Sequence, residues 1–154
     1  IIKDKILGKT GREIPSMLDY KNHINKESMF NTPPVFSIYV SMLTMQWLKD
    51  LGGITVIEKI NQKKADMLYH EIDRNQLFEG TVNKQDRSNM NVCFILKDND
   101  NEIEFNTMWQ DSGISGIIGH RSVGGYRASI YNAMPIRSID VLINVMQKLE
   151  KKIK

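Results

Sequence analysis

Between Asp111 and Asp140 the sequence has no carboxylate, while His120, Arg121, Arg127 and Arg137 all fall inside that window. The local field of such a segment is positive. Arg121 and Arg127 bracket Val123-Gly124-Gly125, where glycines let the backbone turn tightly and approach a ligand without a Cβ in the way. A guanidinium donates two parallel hydrogen bonds to one carboxylate or phosphate, which a lysine cannot do. A grip for a small molecule with two anionic groups is one reading. The other is that these arginines are solvated residues on a hairpin, and the residues alone leave both open.

Asn31-Thr32-Pro33-Pro34 is the second candidate. A capping side chain followed by proline marks a helix start, and a helix start offers free N–H groups and a positive dipole end to a phosphate. Capping alone also explains the residue types. His23 and His70 have no cysteine, histidine or carboxylate at metal-ligand spacing, so no metal site is expected. Gly-x-Ser-x-Gly, Walker and Gly-x-Gly-x-x-Gly sequences are absent.

The elements that must position these residues belong to a chain of 154 residues, with 41% hydrophobic and 25% charged residues, ordinary values for a globular domain. The net charge of +3 is mild and the lysines are scattered among acids, which argues against nucleic acid as a partner. One cysteine, Cys93, excludes a disulfide within the chain and fits a reducing compartment. Asn31 to Leu48 carries no charge, but Pro33, Pro34, Ser37, Ser41, Thr44 and Gln46 make it poor material for a membrane span. It is expected to be a buried helix. The chain opens Ile1-Ile2-Lys3 with neither a methionine nor signal-peptide features, and it is expected to be a segment of something longer.

Residues 1 to 30 read as a connecting segment. A helix is predicted from Asn31-Pro34 to about Leu51, and a second from about Ile54 to Asp73 with Lys59, Lys63 and Lys64 on its wet side. After an irregular polar stretch, the alternation Met90, Val92, Phe94, Leu96 predicts a strand. A short helix over Glu102–Asp111 follows, then strands at about Ile114–Gly119 and Tyr126–Tyr131, then a helix over about Ser138–Lys152. The predicted order from residue 54 is α-β-α-β-β-α, an α+β layer arrangement.

Several separated blocks carry a resemblance: Pro15-Ser16-Met17-Leu18-Asp19-Tyr20, Ser28-Met29-Phe30-Asn31-Thr32-Pro33-Pro34, Trp47-Leu48-x-x-Leu51-Gly52-Gly53, Arg87-Ser88-x-Met90-Asn91-Val92, and the run from Gly119-His120-Arg121 through Gly124-Gly125-x-Arg127 to Met134-Pro135. In order and spacing the chain resembles the phosphoserine aminotransferase family, over essentially its whole length. The resemblance implies an α/β fold, the C-terminal part of a fold-type I aminotransferase. Residues 1–50 would be the tail of the cofactor-binding large domain with a connecting helix, and 51–154 the small C-terminal domain.

It also implies a cytoplasmic homodimer that uses pyridoxal 5'-phosphate to move an amino group between glutamate/2-oxoglutarate and phosphoserine/3-phosphooxypyruvate. The related phosphohydroxythreonine reaction of pyridoxine biosynthesis is a further implied activity. Asn31 and Thr32 would reach the cofactor phosphate of the neighbouring subunit, Arg127 would hold the substrate α-carboxylate, and His120 and Arg121 the distal phosphate or carboxylate. The family's Schiff-base lysine matches a position upstream of Ile1, so the resemblance assigns no catalytic residue to this chain and implies that it is inactive alone. A stand-alone regulatory module that binds an anion or an amino acid is the alternative from another class.

Overall fold

The structure, a computed structural model, describes residues 3–154 and divides into two compact units, Ile1–Trp47 and Leu48–Lys154. The start at Ile1 lies outside the described residues.

In the first unit, single helical turns at Asp4–Ile6 and Ser16–Leu18 precede helix α1, Tyr20–Asn25. The Asp19 carboxylate caps α1 by accepting from the Lys21 N–H at 3.0 Å. His23 stays local, with Nε2 at 2.9 Å from the Met17 carbonyl and its ring edge-on to Phe30. Helix α2 spans Val35–Asp50, and the glycines Gly52 and Gly53, both at positive φ, stop it. The hydroxyls of Ser41 and Thr44 donate to carbonyls four residues back, so they need no outside partner.

The expected burial of this helix is not found. No residue of α2 is buried, and Phe36 stands 79% exposed. The sequence reads as apolar on every side, which predicts a helix covered all round, but the described residues of its own unit do not supply that cover.

The second unit holds a three-stranded antiparallel sheet, β1 (Phe78–Gly80), β2 (Asn91–Leu96) and β3 (Tyr126–Ser129), with β2 central. Phe78 pairs with Leu96, and Cys93 with Arg127. Helices α3 (Ile54–Arg74), α4 (Glu102–Asp111) and α5 (Ile136–Ile153) contribute to one core with the sheet. Along β2, Val92, Phe94 and Leu96 are buried while Asn91, Cys93 and Ile95 are not, so only one face of the sheet is covered. Phe78, Phe94, Phe105 and Tyr126 form an aromatic cluster with ring centroids 5.0–6.4 Å apart.

The α/β class stands, but the order of elements is corrected: from Ile54 it is α-β-β-α-β-α. The extra strand, β1, is three residues long and hidden in a polar stretch, anchored by Phe78 alone. The strand expected at Ile114–Gly119 is a loop, which meets β3 only through an Ile118–Tyr126 bridge and an Arg127 N–H donated to Ile117 O at 2.7 Å. One bridge is too little for a ladder.

Lys64 also departs from expectation. It is not on a wet face but fully buried, its ammonium donating to the carbonyls of Ile130, Tyr131 and Met134 at 3.0, 2.7 and 3.2 Å. Burial lowers its pKa from the ordinary lysine value. A second buried polar group joins α3 to α5. Arg74 donates to Glu71 and Glu150, Gln147 donates to Glu71, and Asn75 donates to Glu71 and to Met146 O.

Candidate functional site

β3 presents Arg127 by simple alternation. Its neighbours Tyr126 and Ala128 point into the core, so Arg127 stands on the open face. Tyr126 is fixed by donating its hydroxyl to Asn106 Oδ1 at 3.0 Å, and burial, with the nearby Glu102 charge, pushes its pKa up to about 12. Across β2, Cys93 is directly opposite Arg127, and Ser129 Oγ donates to Asn91 Oδ1 at 3.3 Å. The core face thus holds the strand while the open face carries polar side chains.

The loop before β3 closes on itself. Gly119 N–H donates to Gly125 O at 2.8 Å, and the His120 carbonyl accepts from both Val123 and Gly124. A Cβ on Gly119 would lie 2.1 Å from Gly124 O, and one on Gly125, at φ +63°, would strike Ile95 and Phe94. Only glycine fits at these two closures. His120 Nδ1 lies 2.8 Å from Ser122 Oγ, and His120 and Arg121 are exposed. The tied ends make His120 and Arg121 part of a closed loop that leads directly into β3, on which Arg127 is the second residue. None of the ion pairs among the described residues involves Arg121, Arg127 or Arg137. Two of these guanidiniums, with a histidine, stand without a counter-ion. That arrangement can bind a dianion. A cavity of about 330 Å³ lies between Ile114, Ile117, Ser129, Met134 and Val141, and His120, Arg121 and Arg127 do not line it. Arg137 is exposed in the first turn of α5.

Asn31 and Thr32 belong to the first unit, and both are exposed. The Asn31 amide donates to Thr32 O at 3.1 Å, and Pro34 O accepts the first helical bond, from Ile38. Asn31 is therefore not the cap of α2, which starts later than expected because Thr32 and Pro33 each precede a proline and are kept out of the helical region. No acidic residue lies in its first turn.

The sequence around Arg87 shows no role for it. The structure gives it one: it donates two bonds to Asp73, at 2.9 and 2.6 Å, and lies over the Tyr69 ring at 4.4 Å. Those bonds hold the Asp73 carboxyl below the usual aspartate range. Tyr69 in turn donates to Ser88 O, fixing the entry to β2. Among the described residues no group of three or more His, Cys, Asp or Glu could hold a metal, and no helix is long and apolar enough to cross a membrane.

Residues 3–142 match the class-V aminotransferase family. The chain belongs to that family. It is 65% identical, over 99% of its length, to a phosphoserine aminotransferase of Flavobacterium psychrophilum, of which it covers 43%. A phosphoserine aminotransferase structure from Bacillus circulans subsp. alkalophilus superposes with a TM-score of 0.89 at 34% identity, covering 99% of this chain and 43% of that one. A PLP-bound phosphoserine aminotransferase from Trichomonas vaginalis gives 0.78 at 34% identity, covering 87% and 39%. The chain spans less than half the length of these relatives.

Proposed function

We propose that this chain is the C-terminal portion of a phosphoserine aminotransferase, which exchanges an amino group between glutamate/2-oxoglutarate and phosphoserine/3-phosphooxypyruvate in serine biosynthesis. The observation that carries the reading is the positive set of His120 and Arg121 on the loop and Arg127 on β3, which no ion pair among the described residues neutralises. Each substrate has an α-carboxylate and a second anion, so one positive site serves both in alternation. Arg127, on β3, holds the α-carboxylate through its fork. His120 and Arg121, on the loop, hold the phosphate or the side-chain carboxylate.

The donor set at the start of α2 fits the phosphate of pyridoxal 5'-phosphate. Asn31 and Thr32 are exposed amide and hydroxyl donors before the positive end of a 16-residue helix whose first turn has no acid. They would hold that phosphate, in a neighbouring subunit. When bound, the cofactor supplies the electron sink of the reaction. The remaining contribution of this chain is orientation and charge complementarity. Residues 1–50 serve as the tail of the large domain and 51–154 as the small domain, a division supported by the unit boundary after Trp47. The lysine joined to the cofactor lies outside this chain in the longer enzyme, so the chain alone does not transaminate. The exposed apolar residues of α2 support a homodimer. We place the enzyme in the cytoplasm, and phosphohydroxythreonine as a second amino donor of the same site.

Assays of the longer enzyme with phosphoserine, and separately with serine, as amino donor to 2-oxoglutarate test the reading. The distal anion should raise kcat/KM by at least about a hundredfold, since a site built for charged partners discriminates strongly against their absence. Equal use of the two donors contradicts it.

A further inference from the structure

Two side chains of α3 reach the turn that follows Arg127. Lys64 donates to the carbonyls of Ile130, Tyr131 and Met134, which uses all three hydrogens of its ammonium. One helical turn earlier, Asn61 donates its amide to Asn132 Oδ1 at 2.8 Å. Between them they fasten four of the five residues from Ile130 to Met134.

A buried cation is costly when no anion accompanies it. None of the ion pairs among the described residues involves Lys64. Lys64 itself is 0% exposed, and its printed partners are neutral carbonyls. A methionine would fill the same space without that cost. What the lysine does that methionine cannot is hold three carbonyls that have left the sheet.

The place of those carbonyls gives the hold its use. β3 is an edge strand of four residues. Its ladder to β2 ends with Ile130 N–H donated to Met90 O at 2.9 Å, and on its other side the contacts are the Arg127–Ile117 bond and the Ile118–Tyr126 bridge. So short a strand does not fix its own position. Its leading end is set by the glycine-closed loop, and its trailing end by the turn that Lys64 and Asn61 hold.

We propose that Lys64, assisted by Asn61, is a positioning residue that sets the place of Arg127 by fastening the trailing end of β3 to α3. The inference rests on Arg127 being the carboxylate anchor. Lys64 touches no substrate and acts through Arg127. Misplacing an anchor by a fraction of an ångström weakens its hold on the carboxylate.

The test uses the full-length enzyme with Lys64→Met, Asn61→Ala, Arg127→Leu and the Lys64→Met/Arg127→Leu double variant. Steady-state constants for glutamate and 3-phosphooxypyruvate are measured with the dissociation constant of glutarate, a non-reacting dicarboxylate. Lys64→Met should raise both KM values and the glutarate Kd by about tenfold, while kcat per folded site changes by less than about threefold. In the Arg127→Leu background the lysine change should add less than about a further twofold, as coupled residues do. Asn61→Ala should raise the same constants by about threefold, and it decides the matter if Lys64→Met does not fold. Unchanged KM and Kd in the folded variants, or effects that multiply in the double variant, overturn the proposal. If Arg127→Leu itself leaves the glutarate Kd unchanged, the carboxylate anchor is misassigned and the proposal falls with it. A raised Kd in Arg127→Leu beside an unchanged one in Lys64→Met removes the inference about Lys64 alone.

Discussion

In Leu48–Lys154 the large apolar residues face one another: Phe78, Phe94 and Phe105 are 1%, 0% and 0% exposed. In the first unit residues of the same chemistry face outward, and among the described residues none before Ile57 is buried. Hydrophobicity is therefore matched within the chain in the second unit and unmatched in the first. The two units call for different explanations. Sheet pairing and the core account for the second without help. The first makes sense as surface prepared for another surface, in keeping with a chain that spans 43% of the length of the curated relative it matches at 65% identity.

That contrast breaks most easily in the aromatic cluster. Phe105→Ala removes a ring that touches Phe78, Phe94 and Tyr126, and should destabilise the second unit by about 4 kcal/mol, measured by denaturant unfolding. A loss below about 1 kcal/mol would mean the cluster is not packed as described.

Acid gives a smaller effect. Arg87 holds the Asp73 carboxyl below its ordinary 3.8, and Lys154 with Arg74 holds Glu150 below 4.5. A carboxylate whose folded pKa is depressed contributes stability that is fully present above the unfolded value and is lost as pH falls through the folded one. Thermal stability should hold steady down to about pH 5 and decline below about pH 4. Asp73→Asn should remove part of that decline; a variant as acid-sensitive as the parent would show that the pair does not carry it.

The smallest effect is expected on α2. Phe36→Ser should change the stability of the isolated chain by no more than about 0.5 kcal/mol, because an exposed side chain has little to lose, while reducing self-association by sedimentation. A large destabilisation there would erase the contrast between the two units.

Much of the second unit is legible in its residues. The period-two alternation of Val92, Phe94 and Leu96 and the helical spacing of Ile139, Leu142, Met146 and Leu149 report burial because both follow from packing against one neighbouring layer. Arg121, Arg127 and the glycines around them are legible as a possible anion loop because charge and backbone freedom are local properties. What is not legible depends on distant partners. Lys64 reads as a wet lysine because the carbonyls it serves lie 66 to 70 residues away. β1 is too short to show a period, and Ile114–Gly119 has the composition of a strand but makes only one bridge. The helix α2 reads as buried because sequence reports the need for cover and not who supplies it.

The central claim is that one positive site holds both substrates, with Arg127 on their shared carboxylate and Arg121 on the distal anion. Steady-state kinetics of Arg127→Leu and Arg121→Leu in the full-length enzyme, with glutamate and with 3-phosphooxypyruvate, test it most directly. Arg127→Leu should lower kcat/KM for both substrates by about a hundredfold, the loss of a charged two-bond contact. Arg121→Leu should act chiefly through the distal anion. Unchanged specificity constants in the Arg127 variant would contradict the account.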